Sequence, residues 1–133
     1  MKELRDNQSC FVCGKKNPSG LGVAFEINAE ARAIHAKFTP ADIHKGYVGI
    51  VHGGILSALL DEAMAKLAYS LGIPAVTAEM TVKFRSPASP GEELSISGRI
   101  KHETHGLLEA EAVIEKGLII IAEAKGKLLR ISS

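Results

Sequence analysis

A chain of 133 residues, nearly half of them apolar, has the size of one domain, and its net charge of +1 leaves no basic excess for nucleic acid or an anionic membrane surface. Trp is absent and aromatics make up only 5% of residues, which argues against a platform for stacking bases. Met1-Lys2-Glu3-Leu4-Arg5-Asp6 has no apolar run behind its charges and no stretch is long enough to span a bilayer, so the expectation is a soluble cytoplasmic protein without a signal peptide.

Residues 1–21 read as an irregular flap, punctuated by Gly14, Asn17-Pro18 and Ser19-Gly20. The flap holds Cys10-x-x-Cys13, a spacing that invites a zinc or redox reading. A structural metal site needs four ligands, and no second Cys pair exists; a redox motif would open a helix, where Asn17-Pro18-Ser19-Gly20 says loop. Two partly buried thiols and no metal are therefore expected, the other way to complete a set being four ligands shared by two subunits. Reduced thiols fit a cytoplasmic chain.

From Gly22 the apolar residues alternate. Val23, Phe25 and Ile27, a turn at Asn28-Ala29-Glu30, then Ile34, Ala36 and Phe38 make a hairpin. A polar, glycine-rich loop covers 39–51. Gly54 to about Leu71 reads as a helix without Pro, stopped by Gly72-Ile73-Pro74. Four strands follow. The first places Val76, Ala78, Met80, Val82 and Phe84 on one face, opposite Thr77, Glu79, Thr81, Lys83 and Arg85. Then come Leu94–His102, Leu107–Glu115 and Leu118–Ile131, whose Ile119-Ile120-Ile121 reads as buried on both faces. Two strands, a helix and four closely linked strands predict a single α+β domain over 1–133, its antiparallel sheet curled around the helix.

The helix carries the chemistry. At about 100° per residue, Leu56, Leu59, Leu60, Ala63, Met64, Leu67 and Leu71 form an apolar arc, and Glu62, Lys66 and Ser70 a separate polar stripe. Asp61 belongs to neither. Its wheel neighbours are Gly54, Ser57, Ala58, Ala65 and Ala68, so it has space in front of it for a substrate, or for an interhelical or subunit hydrogen bond. His52-Gly53-Gly54 opens the helix. Glycines there let a ligand reach the unpaired first N–H groups, which can hold an anion or a developing oxyanion, or they merely permit a tight turn.

Val51-His52-Gly53-Gly54, Leu60-Asp61-Glu62-Ala63-Met64, Phe84-Arg85-Ser86-Pro87-Ala88 and Gly91-Glu92 together resemble the hotdog-fold thioesterases of the phenylacetate-pathway, PaaI-like type, over a stretch from about Cys10 to the last strand. Cys10-Phe11-Val12-Cys13-Gly14 with Asn17-Pro18-Ser19-Gly20-Leu21 is similar to one branch of that superfamily. The resemblance implies the hotdog fold and hydrolysis of acyl-CoA thioesters with neither metal nor redox cofactor, coenzyme A being part of the substrate. It also implies a homodimer or dimer of dimers with active sites between subunits. Position by position, Asp61 matches the helix carboxylate acting as base or nucleophile, and Gly53 the backbone N–H that polarises the thioester carbonyl. His52 matches the histidine shaping the site, Thr77 a hydroxyl positioning water, and His44 an upstream histidine of some relatives. Gly54, Lys83 and Arg85 complete the expected substrate contacts, the last two with Arg99 and Lys101 toward CoA phosphates; on an outward sheet face such charges are also simply solvated. His35, His102 and His105 lack metal-ligand spacing and read as surface or packing residues. Gly46 stands where some relatives have an Asn side chain near the active site. The same fold hosts hydratases and dehydratases and non-catalytic acyl-CoA-binding modules, which remain the alternatives to hydrolysis.

Overall fold

The computed structural model describes residues 4–131. Residues 1–3 and 132–133, the ends of the domain expected over 1–133 and including the charged start Met1-Lys2-Glu3, lie outside the described residues. Strands β1 (Glu26–Asn28) and β2 (Ala33–Phe38) precede a short 3-10 turn, Asp42–His44, and the helix α1 (Gly53–Ser70). Strands β3 (Ala75–Phe84), β4 (Leu94–Glu103), β5 (Leu107–Lys116) and β6 (Ile119–Arg130) follow. They form one sheet in the order β1-β2-β4-β5-β6-β3, and every neighbouring pair is antiparallel.

Helix α1 supplies the centre of the core. Leu59, Leu60, Ala63, Met64, Leu67 and Ala68 have no accessible surface, and they meet Leu94, Ile96, Leu108, Ile114 and Leu128 from the sheet. The helix touches β2, β3, β4, β5 and β6. Five strands about 4.8 Å apart span more than the ~10 Å width of a helix, so the sheet must bend around it. Leu71, placed on the apolar arc by its spacing, falls beyond the last turn and is half-buried. Gly72, at φ 79°, ends the helix, and the Ile73 N–H returns to the Ala68 carbonyl at 2.9 Å. Among the described residues no helix is long and apolar enough to cross a membrane.

Helix and sheet approach closely at Gly98 in β4. A Cβ there would lie 3.1 Å from Ile34 Cγ2 and 3.4 Å from Ala63 Cβ, so the missing side chain is what lets Ala63 sit on the strand. Gly98→Val should cost about 1–3 kcal/mol by overpacking, read as a lower urea midpoint with an unchanged m-value.

Three local readings are corrected by the structure. The alternation from Val23 yields a strand only at Glu26–Asn28, because the flap takes the earlier backbone: Leu21 N–H bonds to the Phe11 carbonyl at 2.7 Å and Val23 N–H to that of Val12 at 2.9 Å. Of Ile119-Ile120-Ile121, only Ile121 is buried (1% exposed, against 53% and 40%), since the hairpin end of β6 projects where none of the described residues covers it. The third is a bulge in β3. Thr77 pairs with Leu128 and Glu79 with Lys127, which leaves Ala78 unmatched. The extra residue shifts the alternation, so Thr77 sits on the helix side beside the buried Leu128, while Met80, Val82 and Phe84 face the helix after it.

Candidate active site

The expected site residues fall into two groups, at different points along α1. At its start, His52 is the N-cap, with φ −62° and ψ 133°, and its Nδ1 accepts the Gly54 N–H at 2.8 Å. With Nδ1 accepting, the ring carries its proton on Nε2, which leaves that N–H as a free-standing donor. His52 N–H is itself held by the His44 carbonyl at 2.9 Å, and His44 Nδ1 accepts the Ala41 N–H at 2.8 Å. His44 therefore positions His52 through the loop. Gly46 packs on the same ring: a Cβ there would come within 3.3 Å of His52 Cδ2, so the missing side chain lets the loop close on His52. Among the described residues nothing accepts the Gly53 N–H. An amide at a helix N-terminus with no partner is a ready donor to an oxyanion.

The second group lies two turns on. Thr77 Oγ1 donates to Asp61 Oδ1 at 2.7 Å, which fixes the carboxylate and leaves Oδ2 to act. Both line a cavity of about 560 Å³ with Ala65, Tyr69, Val76 and flap residues from Leu4 to Cys13. Of the small neighbours on the wheel, Ala65 lines this cavity beside Asp61. The flap covers the polar stripe at Glu62 and Lys66: Glu62 Oε2 accepts from Cys13 Sγ at 2.7 Å and from Cys10 Sγ at 3.3 Å, and Lys66 Nζ lies 3.8 Å from Asp6. Burial, then the Glu62 carboxylate, push the Cys13 thiol far above its ordinary range, so it stays a donor. Sequence reading missed this contact, which joins residues 49 positions apart and leaves no periodic trace.

Gly53 and Asp61 are eight positions apart on one helix, about 12 Å along its axis at ~1.5 Å per residue. One carbonyl cannot meet both within a single chain. Lys83 and Arg85 flank Phe84, whose ring packs where a Gly53 Cβ would be, 3.5 Å away, so they belong to the Gly53 end of the molecule. Arg85 pairs with Glu123 at 2.7 Å and holds that carboxyl below the usual range, while Lys83 lines a groove on the outer sheet face with Arg99 and Glu111. Among the described residues His35 meets only Ser95, at 3.0 Å, and neither His102 nor His105 joins a ligand cluster.

A sequence profile described as the thioesterase superfamily matches residues 48–117, just over half of the chain and the whole stretch from the helix-opening loop to β5. The chain belongs to the thioesterase superfamily. Human acyl-coenzyme A thioesterase 13 is 26% identical over 111 residues, which are 82% of this chain and 75% of that protein. A solved thioesterase superfamily protein superimposes with a TM-score of 0.85 at 20% identity, over 92% of this chain; the chain spans 60% of the length of that protein. The PaaI protein of the E. coli phenylacetic acid degradation operon superimposes with a TM-score of 0.76 at 23% identity, over 85% of this chain and 82% of that one. These likenesses establish the hotdog fold for this superfamily member. The matched segment contains His52, Gly53, Asp61 and Thr77, and leaves out the flap with its two thiols.

Proposed function

We propose that this thioesterase-superfamily chain hydrolyses acyl-CoA thioesters to the free acid and CoA, in a homodimer whose sites draw on both subunits. The observation that carries the reading is the carboxylate of Asp61, pinned by Thr77 at the wall of a cavity. Asp61 Oδ2 takes a proton from water, or attacks the thioester carbon itself. Negative charge then develops on the carbonyl oxygen, and the Gly53 N–H, with the helix N-terminus behind it, stabilises it. His52 Nε2–H stands beside that amide as a second donor. No metal or redox group is needed for this step.

The 12 Å between Gly53 and Asp61 supports sharing between subunits, because a second chain running the other way would bring its Gly53 to the first chain's Asp61. The free long edge points the same way. Strand β3 has ten residues, pairs only with β6 among the described strands, and ends at the exposed Phe84 beside Gly53. A bare edge of that length is normally covered or paired. Lys83 and Arg85 would then accompany the oxyanion end of the site, within reach of the CoA portion.

A hydrolysis screen across acyl-CoA chain lengths and aryl-CoAs, with a thiol-reactive dye reporting free CoA, tests the reading. Turnover of at least one class is expected. Tight binding of acyl-CoA without release of thiol, across the whole set, would leave a binding module instead.

A further inference from the structure

The tip of the flap forms a cluster that hydrolysis does not use. Cys10-Phe11-Val12-Cys13-Gly14 is a tight turn, closed by the Gly14 N–H to the Cys10 carbonyl at 2.9 Å. A Cβ on residue 14 would lie 2.4 Å from the Cys10 nitrogen, so only glycine closes the turn this far. The closure turns both thiols toward Glu62. The two sulfurs and the carboxylate oxygen lie within 4.8 Å of one another, all half-buried, and form the one such group of three His, Cys, Asp or Glu side chains among the described residues.

We propose that Cys10, Cys13 and Glu62 bind one thiophilic divalent cation, zinc(II) foremost, with water completing a tetrahedral set. Tetrahedral zinc places a sulfur about 3.5 Å from a neighbouring ligand oxygen and about 3.8 Å from a second sulfur. The present Sγ to Oε2 separations of 2.7 and 3.3 Å reach that arrangement with small side-chain movements. Two thiolates and one carboxylate favour zinc over magnesium or calcium. Binding converts both thiols to thiolates and releases their two protons to solvent. A cysteine count alone predicts no metal, because the third donor comes from the helix and only the fold brings it to the flap. The cation clamps the flap onto α1, and with it the Leu4–Cys13 wall of the cavity beside Asp61. This clamp is independent of whether the chain hydrolyses thioesters.

The test uses the full chain, reduced, stripped with a chelator, and titrated with cobalt(II) alone and then with zinc(II). One cobalt per chain should bind with a thiolate-to-metal charge-transfer band and tetrahedral d–d absorption, and one zinc should displace it with loss of both. Cys10→Ser and Cys13→Ser should each lose charge-transfer intensity. Glu62→Gln replaces a ligand carboxylate and should keep the band but weaken affinity by about 100-fold or more, at or beyond the upper end of the range of about 10–100-fold typical when a partner that only supports a ligand is removed. Should a serine variant fail to fold, by circular dichroism, the titration of the unaltered chain still decides. No charge-transfer band with both thiols titratable overturns the site. So does a band that survives Cys13→Ser, one ion per two chains, or a Cys10–Cys13 disulfide that yields no metal-binding protein once reduced.

Discussion

Asp61→Asn should lower kcat for acyl-CoA hydrolysis by about 10²–10⁴-fold, the range over which a positioned general base acts, with little change in KM. The substitution keeps the size of the side chain and its bond from Thr77, since the amide oxygen still accepts at 2.7 Å. Only the charge and basicity are removed. Thr77→Ala works through the same carboxylate and should cost less: losing one hydrogen bond to a charged group is worth about 1.5–3 kcal/mol, or roughly 10–100-fold. The order matters as much as the size. An Asp61→Asn protein that keeps more than a tenth of wild-type turnover, with its unfolding midpoint unchanged, would remove Asp61 from the reaction.

Gly53→Pro and Asp61→Asn should each silence a homodimer, yet refolding the two together should restore about a quarter of wild-type activity, as expected when half the dimers are mixed and each holds one intact site. Proline is suited to this position. Residue 53 is the first of the helix, where no intrahelical partner is lost, and His52 at ψ 133° already has the extended backbone that a following proline demands. The nearest atoms to an added Cβ are the Phe84 ring at 3.5 Å, ordinary contact. The variant therefore deletes one N–H and little else. In a mixed dimer, one site pairs the altered Gly53 position with the altered Asp61 position, and the other pairs two native residues. If each site were built within one chain, every site in the mixture would be damaged. Mixed dimers confirmed by native mass spectrometry, without recovered activity, reject the shared site.

Much of the fold was legible because its determinants are periodic. The apolar arc of α1, its glycine stop and the alternation in the later strands each follow from side-chain direction in a single element. Asp61 could be singled out by the same means, its small neighbours being three, four or seven positions away. What stayed illegible depends on pairs of elements. The hydrogen bonds of Leu21 and Val23, ahead of β1, went to the flap, and nothing near Val23 shows that the Val12 carbonyl will arrive. The Glu62–thiol contact also comes from assembly, not from local pattern. Thr77 was recognised by its match to a motif while its alternation put it on the outer face with Glu79, and the two readings were reconciled only by the unmatched Ala78.

That unmatched residue gives β3 two different kinds of tolerance to change. Exposed and without a partner in β6, Ala78 can be exchanged for many side chains at small cost. Its presence, however, is a matter of counting. Remove one residue between Thr77 and Glu79 and strict alternation returns, so either Thr77 swings away from Asp61 or Met80, Val82 and Phe84 leave the helix for water. Lineages of this domain are therefore free to vary the chemistry of that position while its length stays fixed, and a gap there in a related sequence marks a protein that has given up either the hydroxyl beside its carboxylate or the apolar face of β3.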